Sequence, residues 1–180
     1  IYEMFLDENG EKISKSRGSG ISVDEWLRYA PAESLSLFMY QKPKSAKKLF
    51  FDVIPKSTDE YLTFIKKSKN QTIVELYNNP VWHIHEGSPQ KIESEISFNL
   101  IMNLVSICNS TEKKTIRGFL QMYEKNLNFE NNVYLDSLIQ NAINYYIDFI
   151  LPKKEYFKVD KDNKIIFINM LELLENIEKE

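Results

Sequence analysis

The sequence contains one cysteine, Cys108, so no internal disulfide can form. Its position inside an apolar, helically periodic segment suits a buried thiol better than a nucleophile. A lone thiol also fits a reducing compartment, and a cytoplasmic location is expected. No apolar run reaches the roughly 18 residues of a membrane span. The nearest candidate, residues 96–108, is broken by Asn99, Asn103 and Ser106. The opening Ile-Tyr-Glu-Met-Phe-Leu-Asp-Glu lacks the basic and apolar regions of a signal peptide. Histidine is scarce too: His83 and His85 are the two present. Spaced at i and i+2, with no cysteine nearby and Glu86 the only adjacent acid, they make a poor zinc site. They are expected to be hydrogen-bonded structural residues beside a core Trp82, and no metal is assigned. No internal repeat occurs at a period of about 20–50 residues.

What is present supports a folded core. Hydrophobic residues make up 43% of the 180 residues and aromatics 13%, enough for one domain or two small ones. The net charge of −3 argues against a protein that coats nucleic acid, and neither DNA nor membrane is expected as a partner. The charge is uneven, however. Between Lys42 and Lys69 eight lysines face only Asp52, Asp59 and Glu60, a local +5 from eight minus three. The C-terminal third is acidic, so an anionic partner should meet the first 70 or so residues.

Residues 2–6 alternate like a strand, Asp7-Glu-Asn-Gly10 is a turn, and residues 11–13 return as a short hairpin. A glycine-bounded loop runs to Gly20. Ser22 and Glu25 then form a capping box for a helix to about Tyr29. Pro31 opens a second helix, 32–41, with Leu35, Phe38 and Met39 on its apolar face. Residues 42–48 are a basic connector. Ser57 with Glu60 suggests another capping box, for a helix to about Lys69. A short helix over 72–78 ends at Asn79-Pro80, and 81–91 is a loop. Helices are predicted over about 95–108, 112–126 and 131–150, with Pro152 as the stop. The spacing of Tyr145, Tyr146 and the aromatics at 119, 123, 129 and 134 assigns most of them to the core. Residues 156–168 fit a hairpin, while 168–177 has helical period, and a terminal helix is preferred. The fold class is mainly α, a helical bundle preceded by a short strand or hairpin and a loop.

The sharpest motif is Lys12-Ile-Ser-Lys-Ser16. Lys12 and Lys15 place two mobile ammonium groups where they can flank a polyphosphate, and Ser14 and Ser16 add hydroxyl donors. Gly18 and Gly20 permit close backbone approach and loop closure. Such a loop favours in-line attack on an α-phosphate by stabilising charge on the departing pyrophosphate. No general base is needed when the nucleophile is an ionised carboxylate.

KISKS resembles the KMSKS signature of class I aminoacyl-tRNA synthetases, with Ile13 in place of the Met. The text of residues 5–62, FLDENGEKISKSRGSGISVDEWLRYAPAESLSLFMYQKPKSAKKLFFDVIPKSTDEYL, is similar to class I lysyl-tRNA synthetases. NNPVWHIHEG and ISFNLIMNLVSICN extend the resemblance over most of residues 1–151, while the tail from Pro152 fits poorly. The resemblance implies an enzyme that makes lysyl-adenylate from lysine and ATP, with Mg2+, on a Rossmann domain and passes lysine to tRNA(Lys). It implies that Lys12 and Lys15 act catalytically on the ATP phosphates, that Ser14 and Ser16 complete the ATP site, and that the HIGH motif lies elsewhere; the 83–85 histidines are not it. A chain opening on Ile1 is then expected to be a piece of a longer protein, inactive alone. On this view residues 1–21 end a catalytic domain, 22–92 form a basic stem-contact-like region, and 93–180 form part of a helical anticodon-binding region. Lys42, Lys44, Lys47 and Lys48 are the expected tRNA contacts, because the connector follows the loop and phosphate binding needs cations without base readout. The alternatives are another class I synthetase or nucleotidyltransferase sharing the loop, and a helical tRNA-binding module without catalysis.

Overall fold

The computed structural model describes residues 4–13, 20–92, 94–129, 132–155 and 164–170. It is mainly helical, as expected, with one two-stranded sheet among the described residues. Strand β1 (Phe5–Leu6) precedes α1 (Val23–Tyr29) and α2 (Ala32–Tyr40); β2 (Lys47–Lys48) then leads into α3 (Val53–Ser68). Next come α4 (Ile73–Leu76), α5 (Pro80–Ile84), α6 (Phe98–Cys108), α7 (Lys113–Tyr123) and α8 (Val133–Tyr145). A π-turn (Tyr146–Ile150) and a 3₁₀ turn (Leu151–Lys153) containing Pro152 close this series. No helix among the described residues is long and apolar enough to cross a membrane.

Local chemistry sets the helix starts. Ser22 and Glu25 form the expected capping box, and Thr72 and Glu75 form a second one on α4. The helix assigned to start at Ser57 starts at Val53 instead. Pro55 falls in its first turn, where a missing N–H costs nothing, and Ile54 begins the apolar stripe that continues through Tyr61, Leu62 and Ile65. Ser57 is therefore a buried mid-helix residue. The segment 81–91 is not wholly loop either. Asn79 ends one helical turn and caps the next, accepting from Val81 N at 3.1 Å, with Pro80 in the first turn of α5.

The core is one cluster to which every helix from α1 to α3 and from α5 to α8 contributes. Trp26 is its largest fully buried side chain, and its indole N–H donates to Ser34 Oγ at 2.9 Å. In α2 the buried positions are Ser34 and Leu37, with Leu35 and Phe38 partly covered, while Met39 stays 41% exposed, outside the expected face. Tyr145 and Tyr146 are buried and Phe129 and Tyr134 pack partly against the core, but Phe119 and Tyr123 are exposed. The reason is register: α7 buries Ile116 and Leu120, which turns 119 and 123 outward. Trp82 is half-buried rather than central, edge-on to Tyr77 with ring centroids 5.8 Å apart. Residues 164–170 are helical, so the second strand of a terminal hairpin does not form. Residues 156–163 and 171–180 of the terminal assignments lie outside the described residues.

A long-range cap joins the two halves of the bundle. Asp59, on α3, accepts hydrogen bonds from Phe98 N at 2.6 Å and Asn99 N at 3.0 Å, the first amides of α6. Burial raises the Asp59 pKa, against the pull of these amides and of Lys66. Asp59→Ala is expected to lower unfolding stability by about 2 kcal/mol, the upper end for a lost helix cap. Urea denaturation of the two proteins checks this, and equal midpoints would remove the cap from the account.

Candidate functional site

The expected phosphate loop leaves the fold at a stem that the structure describes. Asp7 organises the turn before it, with Oδ1 accepting from Asn9 N at 3.0 Å and Glu11 N at 2.9 Å. Gly10 completes this turn at φ +87°. Lys12 bridges to Leu6 in the antiparallel sense and Ile13 N donates to Phe5 O at 2.9 Å, so the hairpin forms, though only as an isolated bridge. On the far side, Gly20 sits at φ +143°, and a Cβ there would lie 2.8 Å from Ile13 Cγ2. Only glycine fits that approach, which brings the two ends of 14–19 together. Ser14, Lys15 and Ser16 lie outside the described residues. Lys12 is exposed at the stem.

The other edge of β1 carries the basic connector. Phe5 and Leu6 pair in parallel with Lys47 and Lys48, with Lys47 N donating to Met4 O at 2.9 Å and Leu49 N to Leu6 O at 2.8 Å. The sequence offered no signal for this pair, since two lysines after Ser-Ala do not read as a strand. The four lysines grouped by sequence accordingly part company. Lys42 and Lys44 are exposed. Lys48 is exposed and donates to Glu8 O at 3.1 Å. Lys47 is only 8% exposed; its ammonium donates to Met39 O at 2.8 Å and lies 5.6 Å from the centre of the Phe38 ring. It is a structural lysine of the strand, held at the C-terminal carbonyls of α2.

The connector overhangs a cavity of about 440 Å³ whose wall includes Lys42, Ser45, Lys48, Lys56 and Ser57. Its one acid, Glu60, accepts from Gln41 Nε2 at 2.8 Å. Lys56 was not singled out from the sequence, and Ser57 was read only as a helix cap. Starting α3 at Val53 would have found them, because Lys56 then lies one turn on, beside Glu60 on the same face. Lys66 and Lys69 are drawn away from this cluster, both pairing with Glu95, at 3.6 and 3.3 Å. Burial works to raise the Glu95 pKa, but the two lysines outweigh it and hold the carboxyl below its ordinary value.

The histidines are structural, as expected. His83 Nε2 lies 2.8 Å from Tyr77 O, and His85 Nε2 lies 3.0 Å from the Tyr61 hydroxyl. Cys108 is partly covered at the end of α6. Among the described residues no three His, Cys, Asp or Glu side chains form a metal-binding group.

Residues 1–88 match the family described as tRNA synthetases class I (K). Over 178 residues the chain is 50% identical to a lysine--tRNA ligase of Rickettsia peacockii (strain Rustic), covering 98% of this chain and 34% of that protein. The figures for lysine--tRNA ligases of Rickettsia africae (strain ESF-5) and Rickettsia bellii (strain OSU 85-389) are 49%, 98% and 34%. The chain thus spans about a third of the length of these curated relatives. No solved structure matches it.

The burial difference between neighbouring lysines is directly testable. Lys47→Ala is expected to cost about 1–3 kcal/mol of stability through a lost buried hydrogen bond and lost packing, while Lys44→Ala stays within about 0.5 kcal/mol of the parent. Chemical denaturation measures both, and equal effects would contradict the buried ammonium.

Proposed function

The chain belongs to the class I lysyl-tRNA synthetase family, and from that premise we propose that it supplies the ATP-phosphate loop and a tRNA-contacting surface of a lysine–tRNA ligase. The observation that carries this reading is the shared strand: β1 holds Lys12 and Ile13 on one edge and the basic β2 on the other. In the proposed reaction a carboxylate oxygen of lysine attacks the α-phosphorus of ATP. The bond to the β-phosphate oxygen breaks, and pyrophosphate leaves with its electron pair. Lys12 and Lys15 stabilise charge on that leaving group, and Ser14 and Ser16 shape the loop and add donors. Mg2+ accompanies ATP as part of the substrate. A hydroxyl of the terminal tRNA ribose then attacks the lysyl carbonyl and AMP departs.

The proposed division of labour treats the chain as about a third of a protein of its relatives' length. Lysine and most of ATP are assigned to a Rossmann domain in the remaining part of a protein of that length, and residues 1–21 to the end of that domain. Residues 22–92 take the basic stem-contact role and 93–180 belong to the helical anticodon-binding region. On the tRNA side Lys42, Lys44 and Lys48 track phosphates from the exposed connector; Lys47 serves by holding β2 in place. The setting proposed for this chemistry is the cytoplasm.

Two measurements test the reading. In a protein of the relatives' full length carrying this segment, Lys15→Ala is expected to slow pyrophosphate exchange by about 100- to 1,000-fold, the loss typical of one preorganised donor, with lysine binding nearly unchanged. Exchange at the parental rate would overturn the loop's role. For the 180-residue chain, tRNA binding is expected to be weak and steeply salt-dependent. Replacing Lys42, Lys44 and Lys48 together by Ala should reduce the slope of log K against log salt by about 3, close to one per phosphate contact. An unchanged slope would remove the connector from the interface.

A further inference from the structure

We propose that the corner from Tyr40 to Lys42 seats one unpaired nucleotide of a single-stranded RNA segment, its base on the Tyr40 ring and its phosphate at Lys42. Two cavities meet at this corner, and both include Gln41 and Lys42 in their walls. The first, about 610 Å³, is formed otherwise by Met39, Tyr40, Pro43 and Pro80, so Lys42 is the one charged residue in its lining. The second is the basic cavity of about 440 Å³ that continues to Lys48 and Lys56. Both volumes fall in the range of about 300–1,000 Å³ in which small-molecule groups are bound. An apolar chamber opening onto a basic one matches a base followed by its phosphate.

The aromatic platform is built rather than incidental. Tyr40 ends α2 and remains 46% exposed, yet its ring is held. His83 stacks on it with centroids 5.5 Å apart and planes 11° from parallel, and His83 is itself fixed 2.8 Å from Tyr77 O. A base added to this pair would extend a stack already two rings deep. Such stacking needs no particular base, because every base offers a π-face. A paired base within a duplex keeps both faces covered by its neighbours, so the seat selects single-stranded RNA. Lys42 lies directly after the platform with backbone φ +46°. That left-handed conformation is uncommon for a residue with a Cβ and places the lysine at the turn between the two chambers. Ser45 N donates to Lys42 O at 3.1 Å and closes the turn. Gln41 is already committed to Glu60, which leaves recognition to the ring and the ammonium.

The inference rests on the RNA-binding part of the proposed function. It is tested with the 180-residue chain, a labelled single-stranded RNA hexamer, and a blunt-ended RNA duplex with no unpaired nucleotide, by fluorescence anisotropy over a series of salt concentrations. Tyr40→Ala is expected to weaken hexamer binding about tenfold without changing the salt slope, and Tyr40→Phe to bind like the parent. Lys42→Ala should weaken binding and lower the slope by about one. Duplex affinity should be indifferent to Tyr40→Ala. Where Tyr40→Ala unfolds at the assay temperature, Tyr40→Leu, which keeps an apolar cover over His83, carries the same expectation. Hexamer affinity that responds to Lys42→Ala but not to loss of the ring overturns the seat and leaves the RNA reading standing. A parallel fall in duplex binding also overturns it. Indifference to both substitutions overturns the seat and the connector surface together.

Discussion

Two residue pairs of parallel sheet, Phe5–Leu6 against Lys47–Lys48, set the relation between the loop and the helical body. Without them the 4–13 segment would have only its own turn to hold it, and an isolated hairpin of that size is marginal in water. The pairing stands because β2 is itself immobilised. Lys47 turns its ammonium inward onto Met39 O and over the Phe38 ring, so a cation usually left in water is spent on fixing two residues of strand. Burying an ammonium is costly unless it is hydrogen-bonded, and the C-terminal carbonyls of α2 are among the few uncharged groups suited to receive it. The strand position, the loop stem and the lay of the connector all follow from that one placement.

The helical body offers a rigid base for this arrangement. Tyr29, Phe51, Tyr145 and Phe149 form an aromatic cluster, with Phe51 and Phe149 centroids 4.5 Å apart. It locks α1 to the end of α8 and to the residues just before α3. Arg28 and the Tyr29 hydroxyl both bond Asp148, each at 2.9 Å, tying residues nearly 120 positions apart. Burial works to raise the Asp148 pKa, but the bonds from Arg28 and Tyr29 hold it below the ordinary value. The Asp59 cap does the same for α3 and α6. Each tie crosses between the N-terminal and C-terminal parts, so the surface near the loop is carried on the same core as the distal helices.

Much of this was legible in the sequence, and the failures share one cause. Periodicity and capping identified α1, α2, α6, α7 and α8 because those signals are local. KISKS stands out in the sequence because its residue types are unusual together, and Ser14, Lys15 and Ser16 lie outside the described residues. The start of α3, the exposure of Phe119 and Tyr123, and the burial of Lys47 were misread because each is decided by which side chains the rest of the fold covers, and spacing alone does not show that. Ser57 looks like a cap until Ile54 is seen to face the core. Lys47 looks like its three companions until β1 arrives across some forty residues. Charge counting cannot separate a lysine that faces a partner from one that holds a strand.

That separation changes where the positive field lies. Of the eight lysines between 42 and 69, Lys47 is buried and Lys66 and Lys69 are drawn to Glu95. The three acids of the same stretch are also committed: Asp59 to the α6 amides, Asp52 to the Tyr145 hydroxyl and Glu60 to Gln41. None of these acids is bound to Lys42, Lys44, Lys48 or Lys56. The field therefore concentrates on the connector and the mouth of its cavity, rather than spreading along α3 as the count of +5 suggests. A chain of net charge −3 can thus present a basic edge, because Lys42, Lys48 and Lys56 are gathered in the wall of one cavity.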